Sequence, residues 1–147
     1  MGEMMGSKAR KEIAEIRTVS KKEAAARQIN VAIKLFHEGE YESTITLACA
    51  AEGQLGDGDE SHLFPRLKGK RPSAFKNERD WVNFLNQTRD WLKHPTPQLD
   101  QVRPIAQFEA WVMLVRACTK YYAVFQEESK IMEEFSLWAR ERGFTAA

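Results

Sequence analysis

Arg89, Asp90 and His94 combine side-chain types that could support chemistry on a phosphate group. A histidine can transfer a proton near neutral pH, and an arginine can stabilise the negative charge that develops on phosphate oxygens during phosphodiester cleavage. Asp90 and His94 are four residues apart, so on a helix the carboxylate can hold one imidazole nitrogen and fix the tautomer. Arg89 and His94 are about 140° apart around a regular helix, so they converge only if the chain bends at His94.

These residues lie near the end of a predicted amphipathic helix whose N-cap is Ser73 or Asn77. Positions three and four apart form its predicted apolar face: Trp81, Phe84, Leu85, Thr88, Trp91 and Leu92. The opposite face carries Asn83, Asn86 and Asp90. Arg89 lies at the edge of the apolar face, where a cation needs a partner or a functional role.

Two prolines predict where this helix ends. Pro95 disfavours the helical conformation at the residue before it, and Pro97 repeats the signal. The helix should therefore end at His94, with a bend that could bring His94 toward Arg89. A structural interpretation is also open, because Lys93 and His94 in a last turn are ordinary complements to the helix dipole.

Four more helices are predicted from apolar periodicity and end signals. They run from the Ser20–Glu23 capping box to about Glu38, from Tyr41 to about Leu55, from about Pro104 to Glu127, and from about Ser129 to Arg142. No segment has strand periodicity, which predicts an all-α, antiparallel four-helix up-and-down bundle with a short fifth C-terminal helix. The predicted domains are an N-terminal arm over 1–19, frayed or weakly helical, and a single helical domain over 20–147.

The fourth predicted helix is apolar on two sides. One stripe is Phe108, Trp111, Val112, Val115, Cys118, Tyr122 and Phe125, and a second is Ala110, Leu114, Ala117, Tyr121 and Val124. Only a narrow band, Glu109, Arg116 and Lys120, is charged. Such a helix is either central in its bundle or shared with another chain. With few helices available to surround it, we expect a homodimer that forms through this helix.

Glu52 is the acidic residue within a run of small side chains in the second helix. One interpretation is a solvated carboxylate at the helix surface. The other is an ion pair with Arg89 or with a nearby lysine, which would place Glu52 beside the candidate site.

The net charge and the motifs of the chain bear on whether it could bind nucleic acid or a metal ion. The 147 residues carry a net charge of +1, so binding to nucleic acid would need a local basic patch. The loop predicted over 56–73 contains such a basic cluster, and its GDGDES segment lacks the glycine placement and terminal glutamate of a calcium-binding EF-hand loop. Its His62 has no Cys or His at metal-ligand spacing, and we expect neither a metal nor another cofactor.

Cys49 and Cys118 lie inside apolar helical patterns. We expect them to be buried, reduced thiols, with a disulfide as the alternative. The N-terminus lacks the apolar segment of a secretory signal, and no apolar run approaches membrane length, so we expect a cytoplasmic protein.

The sequence AAE late in the second helix and RDWLKH at the end of the third resemble the HEPN domain family. The family signature is an arginine, a polar residue directly after it, and a histidine after four to six intervening residues. Arg89, Asp90 and His94 match this signature with four residues between the arginine and the histidine. The resemblance covers roughly residues 20–142 and implies a HEPN-like bundle that forms dimers, with the two motifs meeting in one cleft.

The resemblance also implies an activity. Many members are metal-independent endoribonucleases of toxin–antitoxin and defence systems, in which the RNA 2′-hydroxyl attacks the adjacent phosphate and leaves a cyclic phosphate end. By this resemblance, Arg89 would bind the phosphate, His94 would transfer the proton, and Asp90 would orient His94. We assign substrate binding to Asn86, Lys93 and Glu52.

Some features of the chain depart from the family pattern. Pro95 and Pro97 flank the motif, and the bulky Trp91 lies within it. These side chains could close or occupy the cleft. No accompanying nucleotidyltransferase segment is visible, so a protein partner would be a separate chain. One alternative is a non-catalytic helical dimer that binds a protein or a nucleotide, similar to the family members that have lost the chemistry. A second alternative is a chain that masks a toxin partner.

Overall fold

The fold is built from helices, as the sequence predicts. A computed structural model describes residues 13–56 and 76–143, and these ranges contain five helices and no strand. The helices are α1 (Lys21–His37), α2 (Tyr41–Gln54), α3 (Glu78–Lys93), α4 (Gln107–Phe125) and α5 (Lys130–Glu141). Within these described ranges, each helix is too short or too polar to cross a membrane. Residues 1–12 of the predicted arm and nearly all of the predicted 56–73 loop, including its basic cluster and His62, lie outside the described residues.

Side-chain caps fix where three of the helices begin. The Ser20 hydroxyl accepts a hydrogen bond from the Glu23 amide (3.0 Å) at the start of α1. The Asn77 side chain accepts one from the Asp80 amide (2.9 Å), so Asn77 rather than Ser73 caps α3. Ser129 caps α5 in the same way through the Met132 amide (3.1 Å).

The core lies where α1 and α2 pack on each other and on α4. In addition, α5 packs on α1, and α3 packs on α2. The fully or nearly fully buried apolar side chains come from four helices: Ala25, Ile29, Ala32, Ile33, Phe36, Ile45, Ala48, Ala51, Ala110, Met113, Leu114, Ala117, Tyr121, Met132 and Phe135. These α4 residues show that most of its second predicted stripe belongs to the core of one chain.

The two sides of α4 have different surroundings. The side toward α1 and α2 is buried and includes two of its charged residues, Arg116 and Lys120. The other side carries Phe108, which is 65% exposed, and Tyr122, which is 49% exposed. Arg116 and Lys120 of the predicted charged band therefore point into the protein, and the first apolar stripe remains partly accessible to solvent.

Both cysteines are free thiols. Burial, together with the smaller effect of the nearby Glu128 carboxylate, raises the pKa of the Cys118 thiol to about 12. Burial also raises the pKa of Cys49, although the positive charge of Arg89 opposes that shift. A thiol is nucleophilic only as the thiolate, so neither environment favours a reactive cysteine.

We expect Cys118 to resist alkylation in the folded protein. With a pKa of about 12, about one Cys118 in ten thousand is a thiolate at pH 8, against about a quarter for an ordinary exposed thiol. Because the native pKa is raised, the stabilising contribution of this group is complete below the unfolded pKa of about 8.5 and is lost as pH rises toward about 12. Iodoacetamide labelling read by mass spectrometry should modify Cys49 before Cys118, and both rapidly in urea. Equal labelling rates for Cys118 in buffer and in urea would contradict this.

Candidate functional site

The end of α3 presents the predicted motif at the protein surface. The helix ends at Lys93, and His94 has an extended backbone (φ −111°, ψ 147°), as expected of a residue before proline. The His94 amide still donates a hydrogen bond to the Asp90 carbonyl oxygen (3.0 Å). The side chains of Lys93 and His94 are both exposed. The bend predicted from Pro95 is therefore present, and solvent reaches the imidazole.

Arg89 pairs with its neighbour in sequence. Its Nε and Nη2 atoms both donate to Oδ1 of Asp90, at 3.0 and 2.9 Å. Both side chains are accessible to solvent, Arg89 at 26% and Asp90 at 46%. No hydrogen bond joins Asp90 to the imidazole of His94 within the part of the chain that the structure describes, so the expected Asp90–His94 contact is replaced by the Arg89–Asp90 pair. A guanidinium has five N–H donors, and this pair uses two of them.

Arg89 lines a cleft of about 70 Å³ between α3 and α4. Ile45 of α2 and Met113 of α4 are buried and form its apolar floor. Phe84, which is 55% exposed, and Phe108 lie along the same cleft. Phe84 belongs to the predicted apolar face of α3, but more than half of its surface is accessible because α3 packs mainly on α2.

A polar network joins α3 to the start of α4 beside this cleft. The Thr88 hydroxyl donates to the Glu109 carboxylate and accepts hydrogen bonds from Nε and Nη2 of Arg103, at 3.3 and 3.1 Å. The second Glu109 oxygen accepts from the Ala106 amide (2.7 Å), which satisfies a free N–H group at the helix start. Sequence reasoning missed Arg103 and this role of Glu109. A glutamate three residues after a helix start was the available signal.

Glu52, Asn86 and Arg116 form a second, buried polar cluster. Arg116 is 0% exposed, and its Nε and Nη2 donate to the two oxygens of Glu52, at 2.9 and 2.7 Å. Its Nη1 donates to Oδ1 of Asn86 (3.0 Å). Glu52 is therefore not solvated, and its partner is Arg116 rather than Arg89 or a lysine. The placement of Asn86 on an outward polar face of α3 was also wrong, because the buried guanidinium draws this side chain inward as an acceptor.

Charges from the surface end of α3 and from the buried cluster both act on Cys49 in α2. Burial raises the pKa of its thiol, and the Glu52 carboxylate raises it too. The positive charges of Arg89, Arg116 and Lys93 lower it. The buried cluster joins α2 and α4 to α3, which is the helix that carries the candidate motif. Of the six predicted site residues, Arg89, Asp90, Lys93 and His94 are at the surface end of α3, and Glu52 and Asn86 are inside.

No three His, Cys, Asp or Glu side chains gather at metal-binding distance over residues 13–56 and 76–143. The chain matches no known protein-family model, no curated protein and no solved structure.

Proposed function

We propose that this chain is a HEPN-like, cytoplasmic homodimer that cleaves single-stranded RNA without a metal, at the surface end of α3. The observation that carries the proposal is the environment of Arg89. Its only ion pair in the described ranges is with the solvent-accessible Asp90, whereas the buried ion pair in these ranges joins Arg116 to Glu52. An arginine whose only role is to stabilise the core would not have to be accessible to solvent at the mouth of a cleft.

The proposed reaction uses Arg89 and His94 on one phosphate. The RNA 2′-oxygen attacks the adjacent phosphorus, and the bond to the 5′-oxygen breaks, which leaves a 2′,3′-cyclic phosphate and a 5′-hydroxyl. Remaining N–H donors of Arg89 stabilise the charge on the phosphate oxygens. His94 takes the proton from the 2′-hydroxyl and returns it to the departing 5′-oxygen. A surface ion pair is weak, so a phosphate can displace Asp90 from Arg89. The released carboxylate then lies four residues before His94, where it can orient the imidazole.

The remaining predicted residues have different roles in this proposal. Lys93 is exposed in the last turn of α3 and supplies positive charge to the RNA backbone. Asn86 and Glu52 hold α3 in place through Arg116 rather than contacting RNA directly. The four main helices form the antiparallel bundle of the family, with α5 as the short fifth helix. The exposed side of α4 around Val115 and Tyr122 forms the dimer contact that brings the two motifs to one cleft.

A substrate panel tests this function. Purified protein with a chelator should cleave single-stranded RNA, because the proposed chemistry needs only protein side chains and the substrate hydroxyl. The matched DNA should remain intact because it lacks the 2′-hydroxyl. Mass spectrometry of the products should show cyclic phosphate ends. Cleavage of RNA and DNA at equal rates, or activity that the chelator abolishes, would contradict the proposal.

One observation favours a second candidate, a non-catalytic helical dimer that binds a protein or a nucleotide. The Asp90 carboxylate accepts hydrogen bonds from Arg89. Over the described residues it accepts none from the His94 imidazole, so it does not fix that tautomer. Such a dimer would bind its ligand at the same end of α3 and would leave RNA uncut in the substrate panel.

A further inference from the structure

We infer that the cleft between α3 and α4 binds an unpaired base of single-stranded RNA, which stacks on Phe108 and contacts Phe84, while the adjoining phosphate binds Arg89. This inference deepens the proposed function and rests on it for the class of ligand. It adds a binding site outside the Arg89–Asp90–His94 motif and assigns the two phenylalanines a role in holding the substrate.

The ring of Phe108 is both exposed and held in place. It stacks on Trp111, with the ring centres 5.8 Å apart and the planes 28° apart, yet 65% of Phe108 remains accessible to solvent. An exposed aromatic ring with a fixed orientation is a ready platform for a nucleobase, because every base has a π face and stacking loses little ring freedom. Phe84, on the facing helix, supplies a second ring at the same cleft.

The charges around the cleft favour a base over its mouth and a phosphate at its edge. Glu109 lines the cleft together with Phe84 and Phe108, so a phosphate that entered would meet a carboxylate. Arg89 lines the same cleft and has unused N–H donors over the described residues, so it offers the phosphate a cation beside the base. A nucleotide carries these two groups, a flat apolar ring and a neighbouring anion, on one flexible unit.

The size of the cleft limits how the base binds. A space of about 70 Å³ is well below the roughly 300 Å³ of a typical pocket for a complete small molecule. The base therefore lies across the mouth, on the exposed rings and above the floor of Ile45 and Met113, and is not enclosed. The site should then accept any base, since stacking is largely indifferent to base identity.

Fluorescence anisotropy with an RNA that cannot be cut tests the inference. The probe is a labelled single-stranded 2′-O-methyl RNA of mixed sequence, and a matched strand replaces its bases with abasic sites. Phe108→Leu keeps apolar bulk but removes the ring, and it should weaken binding of the base-bearing strand at least about fivefold. Phe108→Trp restores a stacking surface and should bind as well as wild type or better. The abasic strand should bind wild type weakly and should be insensitive to Phe108→Leu.

The control variant is Leu137→Ala, which removes an exposed apolar side chain on α5 and should bind as wild type does. Equal affinity of wild type and Phe108→Leu for the base-bearing strand would overturn the inference, as would an equal loss for both strands. If Phe108→Leu instead converts a dimer to a monomer with RNA affinity intact, a second copy covers the cleft and the inference fails.

Cleavage of unmodified RNA separates this inference from the proposed function. If wild type cuts RNA but the Phe108 variants all bind the probe as wild type does, only the stacking site is overturned and the proposed function stands. A protein that neither binds the probe nor cuts RNA would overturn both.

Discussion

Glu52→Ala should lower the free energy of unfolding by about 3–5 kcal/mol. Arg116 is fully buried, and both oxygens of Glu52 accept hydrogen bonds from it. Glu52→Ala removes the two charge-assisted hydrogen bonds that the Glu52 carboxylate accepts from the buried guanidinium. The described contacts of Arg116 with Asn86 Oδ1 and Met113 Sδ come from neutral groups and do not replace that negative charge. Chemical denaturation followed by circular dichroism measures the change.

Two control variants distinguish the loss of the buried ion pair from the general effect of removing a carboxylate on the free energy of unfolding. Glu134→Ala removes one side of the exposed Lys130–Glu134 pair, whose charged atoms are 4.0 Å apart, and should change stability by less than about 0.5 kcal/mol. The double variant Glu52→Leu with Arg116→Met removes both charges, so it should recover most of the loss. Equal stability of Glu52→Ala and wild type would show that Arg116 does not depend on this carboxylate.

Arg89→Ala should reduce RNA cleavage by about a hundredfold or more, with little change in melting temperature. The side chain is partly exposed and its ion pair with Asp90 lies at the surface, so the fold loses little when it is removed. In the proposed mechanism Arg89 is the phosphate ligand, so its removal leaves the charge that develops in the reaction without that stabilisation. The measurement is the initial rate of cleavage, taken with a thermal melt of the same sample.

Arg79→Ala is the matched control for Arg89→Ala. Arg79 is an exposed arginine on the same helix, near its N-terminal end, and its removal makes the same change in net charge. Its cleavage rate should stay close to that of wild type. If Arg89→Ala instead lowers the melting temperature and leaves RNA binding intact, Arg89 has a structural role.

Local signals allowed the helices to be predicted from the sequence. Ser20, Asn77 and Ser129 cap helices with side chains only three residues from their partners, and Pro95 acts on the residue next to it. These effects depend on a few neighbouring residues, so a single sequence contains them. The buried face of α4 was partly predictable for the same reason.

The polar contacts between helices could not be predicted in this way. Glu52 and Arg116 are 64 residues apart, and periodicity within each helix does not show which charges of two helices will meet. Asn86 was assigned outward because the apolar residues of α3 define one face, but a buried guanidinium on another helix needed its oxygen. Asp90 had two partners within reach along the helix, Arg89 and His94, and spacing alone did not decide between them.

His94→Ala tests most directly whether the surface end of α3 is a ribonuclease site. His94 is exposed and its backbone lies beyond the last turn of α3, so its side chain contributes little to packing. Wild type and His94→Ala, purified in parallel, are incubated with the same single-stranded RNA and a chelator. We predict that wild type cuts the RNA, and that His94→Ala is folded and inactive. Equal cleavage by the two proteins would contradict the claim.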